Sequence, residues 1–141
     1  GGTIMIKGIA HLALNVTDMQ KSLEFYCNGL GFKKAFEIRD DNGNPWIEYI
    51  KVGPGQFIEL FYGKEPLAKG DGAGLTYSHL CLEVDDIHEI ANRLRGKGIP
   101  LDVEPTQGKD LNYQCWTKDP DGNRIEFMQM VADSPQSQSQ S

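Results

Sequence analysis

The stretch HLALNVTD at residues 11–18 returns as HLCLEVDD at residues 79–86, so both copies read H-L-x-L-x-V-x-D. A second pair of segments recurs at nearly the same offset, FIEL at residues 57–60 and RIEF at residues 124–127. Each half of the chain therefore has a histidine in one predicted strand and a glutamate in another. Internal repetition of this kind is typical of two similar structural modules joined in one chain.

Length, charge and cysteine content limit the class of protein. A chain of 141 residues is long enough for one domain with a substantial core. The net charge of −6 argues against nucleic acid or an anionic membrane as a partner. The sequence has neither a stretch of roughly 20 apolar residues nor a basic-then-apolar leader, and its three cysteines are scattered. These features predict a cytoplasmic protein with reduced thiols, whose partner is a small molecule.

Apolar periodicity and turn signals predict an α+β fold of two tandem βαβββ modules. In each module an aspartate follows the first strand and is a predicted helix N-cap, Asp18 in one and Asp86 in the other. The predicted strands are residues 8–16, 34–38, 46–52 and 56–62, then 78–84, 101–104, 112–118 and 123–130. The predicted regions are an N-terminal extension left by cloning (1–6), the first module (7–62), a Gly-rich linker (63–76), the second module (77–131) and a disordered polar tail (132–141).

Strand parity predicts which of the recurring residues share a face. Side chains alternate between the two faces of a strand, so Leu12 and Leu14 lie on one face and His11 on the other. The repeat follows the same pattern, and both glutamates lie on the faces that the helices leave uncovered. In a curved, cup-shaped sheet with its helices outside, these faces would bring together His11, Glu59, His79 and Glu126.

These four polar residues favour a metal site over separate structural roles. A single histidine on a strand is more often a packed core residue, but here all four residues recur in register within apolar strands. A buried carboxylate usually has a cation or a hydrogen-bond partner, because burying it unpaired is costly. Two imidazoles and two carboxylates suit one divalent ion of Ni, Co, Zn, Mn or Fe, and the lack of thiolates points to catalysis. We therefore predict His11, Glu59, His79 and Glu126 as ligands, with Glu59 or Glu126 as catalytic base.

Other side chains on the same faces are candidates for substrate binding. The apolar ones would line a pocket and the polar ones would orient a substrate. Cys81 is predicted to line the pocket rather than act as a nucleophile, because no base lies at an activating spacing. The candidates are Asn15, Phe57, Phe61, Cys81, Arg124 and Met128.

The paired modules resemble the vicinal oxygen chelate superfamily, and glyoxalase I most of all. The likeness covers residues 7–130 and is carried by IAHLALNV (9–16), FIEL (57–60), YSHLCLEVDD (77–86) and DPDGNRIEF (119–127). It implies a His/Glu/His/Glu ligand set that holds nickel or cobalt in bacterial glyoxalase I and zinc in some relatives. It also implies a homodimer, with the metal site either within one chain or across the dimer interface.

The resemblance departs from glyoxalase I at the positions that hold glutathione. In that enzyme an arginine four residues after the first ligand and an asparagine four after the second bind glutathione, whereas this chain has Asn15 and Gly63 there. We therefore expect a metal-dependent lyase or isomerase that transfers a proton next to a carbonyl of a small substrate, and the missing arginine argues against glutathione dependence.

The alternatives to this function are an epimerase of the same superfamily that acts next to a carbonyl, a non-haem iron dioxygenase, and a small-molecule binding or resistance protein. Glu59 weighs against the dioxygenase, because the resemblance implies two histidines and one glutamate for that class. The other two alternatives stay open on the sequence alone.

Overall fold

Each half of the chain forms its own four-stranded sheet. The computed structural model describes residues 5–63, 65 and 77–140. The chain divides into two units, Gly1–Pro66 and Leu67–Ser141, and the division falls in the segment predicted as the linker. Most of that predicted linker, residues 64 and 66–76, lies outside the described residues, as do residues 1–4 of the predicted N-terminal extension.

The first unit has the predicted βαβββ order. Its sheet has the strand order β1-β4-β3-β2, in which β1 is parallel to β4 and the other pairs are antiparallel. Asp18 caps the helix as predicted, because its Oδ1 accepts a hydrogen bond of 3.2 Å from Lys21 N–H. The elements are β1 (His11–Asn15), α1 (Met19–Leu23), a π-helical segment (Glu24–Gly29), β2 (Lys33–Arg39), β3 (Pro45–Gly53) and β4 (Gln56–Phe61).

The second unit repeats this arrangement in the strand order β5-β8-β7-β6, with β5 parallel to β8. Asp86 caps its helix by accepting hydrogen bonds from the N–H groups of His88 and Glu89. No helix among the described residues is long and apolar enough to cross a membrane. The elements are β5 (Leu80–Glu83), α2 (Ile87–Gly96), β6 (Val103–Gln107), β7 (Tyr113–Lys118), β8 (Arg124–Gln129) and α3 (Pro135–Gln138).

The apolar positions of the repeated strands form the core, as strand parity predicts. In the first unit, Val16, Ile50 and Leu60 are fully buried. In the second, Ile125 is fully buried, and so is Leu94 of helix α2. Burying these faces leaves the opposite faces of both sheets to the histidines and glutamates.

The predicted disordered tail is wrong for residues 135–138, which form the short helix α3. Ser134 is buried and its Oγ accepts a hydrogen bond of 3.1 Å from Ser137 N–H, while Pro135 stands at the first helical position. Gln138 Nε2 donates to Ala132 O at 2.7 Å. The composition argument missed these local hydrogen bonds, which organise a polar segment without a large apolar area.

Strand β6 lies two to three residues later than predicted. It spans Val103–Gln107 instead of residues 101–104, and its pairing with β7 shifts register between Val103 and Thr106. Pro105 lies within this shift, and a proline cannot donate a hydrogen bond to a neighbouring strand. The irregular register accommodates the proline on an edge strand.

Candidate functional site

The first unit brings His11 and Glu59 together on the face of the sheet away from its helix. They stand on the adjacent parallel strands β1 and β4, where Glu59 pairs with Ala13. His11 Nε2 lies 2.8 Å from Glu59 Oε1; the imidazole side chain is 43% exposed and the carboxylate side chain 8%. This pair therefore has a buried oxygen donor and a nitrogen donor that reaches the surface.

Tyr49 completes this first pair from strand β3. It lies directly opposite Glu59 in the strand register, so the two side chains stand on the same face of the sheet. Hydrogen bonding to Glu59, followed by desolvation, raises the pKa of Tyr49. The hydroxyl therefore stays protonated at neutral pH.

The second unit contains an equivalent pair, His79 and Glu126. His79 immediately precedes β5, and its Nε2 lies 3.0 Å from Glu126 Oε1 on β8. Ser78 Oγ lies 2.9 Å from the other ring nitrogen, Nδ1. Trp116 lies opposite Glu126 in the register, and its ring centroid is 4.6 Å from that of His79.

In each pair, the imidazole nitrogen and the carboxylate oxygen have a spacing that fits two ligands of one metal ion. Two ligands at about 2.1 Å from an ion and at right angles to each other have their donor atoms about 3.0 Å apart. The observed separations are 2.8 Å and 3.0 Å, in each case between an imidazole nitrogen and a carboxylate oxygen. Residues 5–63, 65 and 77–140 contain no group of three or more His, Cys, Asp or Glu side chains placed to hold a metal. Each unit supplies two donors, and their joint binding of one ion stays a prediction.

Aromatic rings surround the first pair. Phe36 stacks on Tyr49 with a centroid distance of 4.3 Å, and Phe57 lies 6.2 Å from Tyr49 and 6.4 Å from Phe36. The edge of Tyr49 also meets the His11 ring at 6.1 Å. Phe57 was predicted from the sequence, whereas Phe36 and Tyr49 were missed. A signal existed, since an aromatic residue precedes each glutamate by ten positions, Tyr49 before Glu59 and Trp116 before Glu126.

The remaining candidates in the first unit lie at the end of the same face. Asn15 is the exposed last residue of β1 and pairs with Phe61. Phe61 meets Trp46 edge-on at 6.0 Å. Asn15 supplies no positive charge here, so the first unit has no cation at the position where glyoxalase I has its arginine.

In the second unit, Cys81 and Met128 lie beside the His79–Glu126 pair in different environments. Burial of the Cys81 sulfur, followed by the charge of Glu126, raises the thiol pKa to about 12, although the residue as a whole is exposed. The thiol is therefore protonated at neutral pH, as expected for a lining residue and not for a nucleophile. Met128 is buried, and its sulfur accepts a hydrogen bond of 3.4 Å from Asn112 Nδ2, so little of it is open to a ligand.

Arg124, the last candidate, stands at the start of β8 on the same face as Glu126. Its guanidinium carbon lies 4.6 Å from the centroid of the Trp116 ring. Trp116 thus contacts both Arg124 and His79. The structure therefore places a cation beside the second His–Glu pair.

Known proteins define the family of this chain. The family model of the glyoxalase/bleomycin resistance protein/dioxygenase superfamily matches residues 8–127. A probable lactoylglutathione lyase of Synechocystis sp. is 31% identical over 127 residues, which cover 86% of this chain and 94% of that protein. The structure of a glyoxalase family protein from Enterococcus faecalis matches with a TM-score of 0.73 at 28% identity, over 89% of this chain and 100% of that one. An antibiotic-binding protein from Streptomyces sp. shares the fold, with a TM-score of 0.72 at 22% identity, over 92% of this chain and 100% of that one. This chain therefore belongs to the glyoxalase/bleomycin resistance protein/dioxygenase superfamily.

Proposed function

We propose that the protein is a metal-dependent lyase or isomerase of the glyoxalase I type, which transfers a proton next to a carbonyl group of a small substrate. The observation that carries this proposal is the duplicated His–Glu pair, with Nε2–Oε1 distances of 2.8 Å and 3.0 Å. Relatives named as lactoylglutathione lyases, about 30% identical, support the same class of reaction. The protein would act in the cytoplasm, as its scattered cysteines predict, and it would form a homodimer, as the family resemblance implies.

The four residues of the two pairs would hold one divalent ion. Such an ion would supply Lewis acidity at the substrate carbonyl and so acidify the neighbouring C–H bond. Glu59 or Glu126 would remove that proton and deliver it to the carbonyl carbon. The hydroxyl group on the carbon that loses the proton would pass its own proton to the former carbonyl oxygen, so that substrate and product are isomers. Both carboxylates are largely buried, at 8% and 9% side-chain exposure, and water has little access to them while they carry the proton.

Glutathione is not a required part of the proposed substrate. The exposed Asn15 offers a neutral amide at the position where the family resemblance leads us to expect an arginine. An amide forms weaker hydrogen bonds to a carboxylate than a guanidinium does, because it lacks the charge. We infer that the chain acts on a substrate smaller than a glutathione adduct, or on an adduct of another thiol.

The proposal is tested by combining metal analysis with turnover. The purified protein is expected to bind close to one Ni²⁺, Co²⁺ or Zn²⁺ ion per chain, and to isomerise the adducts of methylglyoxal with mercaptoacetate at least as well as those with glutathione. Glu59→Gln and Glu126→Gln are expected to lower turnover, by about 10²–10⁴-fold for the variant that lacks the base. His88→Gln is the matched control, because His88 is an exposed residue of α2 outside both pairs. Full metal binding and full turnover in both glutamate variants would show that neither carboxylate is the base.

A second candidate function is the binding of a small aromatic molecule without turnover. It is favoured by the cluster of Phe36, Tyr49 and Phe57, in which Phe36 is 47% exposed, and by the fold shared with an antibiotic-binding protein. This function predicts tight ligand binding that is unchanged by EDTA. The lyase proposal instead predicts that EDTA abolishes turnover and that the metal restores it.

A further inference from the structure

Arg124 has an unusual environment for an arginine of this chain. Arg39 and Arg95 pair with Glu37 and Glu104 respectively. Arg124 forms no ion pair within the part of the chain that the structure describes, and its contact is with the ring of Trp116, 4.6 Å away. Among the described residues, this positive charge is thus held against an indole without an ion pair.

The groups around Arg124 already have other partners. Lys118 lies opposite Arg124 in the strand register and pairs with Asp102 at 3.1 Å. The Asp119 carboxylate accepts hydrogen bonds from the N–H groups of Asp121 and Asn123, and from the Asn123 amide. The charge of Arg124 is therefore available to a ligand.

Contact with an aromatic ring does not use the hydrogen-bonding edge of a guanidinium. A guanidinium interacts with an aromatic ring through its flat face, whereas its N–H donors point outward in its own plane. Those donors match the two oxygens of a carboxylate, which they bind in a bidentate manner. The ring of Trp116 fixes the guanidinium and so reduces the entropy lost when an anion binds.

Arg124 also lies within reach of the proposed reaction centre. It stands two residues before Glu126 on the same face of β8, and the rings of His79 and Trp116 are 4.6 Å apart. One indole therefore contacts both the cation and the imidazole of the second pair. The two groups are therefore neighbours of the same ring.

We propose that Arg124, held on the face of Trp116, binds a carboxylate group of the substrate while the substrate carbonyl lies at the His79–Glu126 pair. This inference rests on the proposed function and narrows its substrate to small carbonyl compounds that carry a carboxylate a few bonds away. The cation for the substrate would then come from strand β8 and not from the position of Asn15.

The indole N–H signals of the two tryptophans provide a direct test. Trp116 lies in the proposed site and Trp46 lies in the other unit, so the full chain contains its own reference signal. The EDTA-treated protein, labelled with ¹⁵N at the indoles, is titrated with pyruvate or with the neutral ketone acetone at constant ionic strength. We expect pyruvate to shift the Trp116 signal in a saturable way, with Trp46 unchanged and acetone without effect.

Substitutions of arginine then separate binding from general charge effects. Arg124→Gln is expected to weaken pyruvate binding at least about tenfold, because it removes charged hydrogen bonds. Arg124→Lys keeps the positive charge but lacks the paired N–H donors of a guanidinium. Its affinity for pyruvate should therefore lie between those of Arg124→Gln and the wild type. Arg95→Gln is the matched control, since it removes one positive charge from the same unit at an exposed ion pair with Glu104. An unchanged Trp46 signal and an unchanged thermal unfolding midpoint would confirm folding. If Arg124→Gln does not fold, the affinity of Arg124→Lys for pyruvate is the test of the carboxylate site.

The outcomes distinguish this inference from the proposed function. Equal shifts with acetone and pyruvate, or unchanged pyruvate binding in the folded arginine variants, would overturn the carboxylate site even if the protein binds metal and turns over. Arg124→Gln could lose pyruvate binding selectively while the untreated wild-type protein is found to bind no metal. That result would support the carboxylate site and contradict the proposed function.

Discussion

Replacement of Tyr49 by phenylalanine tests whether the Glu59 carboxylate is held in place for metal binding. The substitution removes the hydroxyl whose pKa is raised by its interaction with Glu59. It keeps the ring, which is packed against Phe36 at 4.3 Å. Loss of a group that hydrogen-bonds to a metal ligand typically lowers metal affinity by about 10–100-fold. We therefore expect Tyr49→Phe to bind Ni²⁺ or Zn²⁺ more weakly by that factor, which corresponds to roughly 1.4–2.8 kcal/mol.

Tyr62→Phe is the matched control for this experiment. Tyr62 also donates its hydroxyl to a buried glutamate of the first unit, with 2.8 Å between its Oη and Glu48 Oε1. Glu48 is on the side of the sheet that carries the apolar core and also pairs with Lys34 at 3.3 Å. Both variants lose a tyrosine hydroxyl that interacts with a buried carboxylate, at a cost to folding stability of about 1–3 kcal/mol. Metal affinity should fall in Tyr49→Phe alone.

The assay is isothermal titration calorimetry, or competition with a chromophoric chelator, at one pH and one ionic strength. Denaturant unfolding of the metal-free variants measures the stability change separately. If Tyr49→Phe kept the wild-type metal affinity, the hydrogen bond to Glu59 would have no role in positioning a ligand. If Tyr62→Phe lost as much affinity, the effect would be one of general stability.

The remaining predictions concern assembly and pH. Each donor pair lies within one unit, so the two halves of a metal site can come from different chains of a dimer. Mixing His11→Gln/Glu59→Gln chains with His79→Gln/Glu126→Gln chains should then restore about a quarter of the wild-type metal content, since half of the dimers contain one intact site. No recovery in a mixture shown to contain heterodimers would place the site within one chain. Burial and the neighbouring glutamate raise the pKa of Tyr62 from 10.0 to about 12. The unfolded chain therefore releases this proton first as pH rises through that interval, and the free energy of unfolding should fall. Denaturant titrations between pH 10 and 12 should give a shallower decline in Tyr62→Phe, and an equal slope would contradict the assignment.

The sequence was sufficient for the parts of the fold that depend on local pattern. Alternation around His11 and His79 located the strands that open each module, and Asp18 and Asp86 were recognised as helix caps, because these signals lie within a few residues of their effects. The π-helical segment was not predicted. Its Leu30 N–H donates to Phe25 O at 2.9 Å, five residues back, and an apolar period gives no information about that spacing.

The same distinction holds at the candidate site. The ligand candidates were found because they repeat within the sequence, and parity assigned them to one face of each sheet. Tyr49 and Phe36 were missed because their positions depend on pairing between strands, including a register shift between Lys34 and Phe36 in β2. Arg124 was recognised as a candidate, but its contact with Trp116 depends on the neighbouring strand β7 and required the structure.

Differences between the two modules matter as much as their repetition. Two identical halves would surround both His–Glu pairs with the same groups. The repeat keeps a histidine and a glutamate in each half but places Phe57, with its aromatic neighbours, where the other half has Arg124. Phe57 therefore gives the first pair an aromatic neighbour, whereas Arg124 gives the second pair a neighbouring cation. Because a base must lie close to the proton that it removes, we infer that this divergence makes the two glutamates unequal as bases.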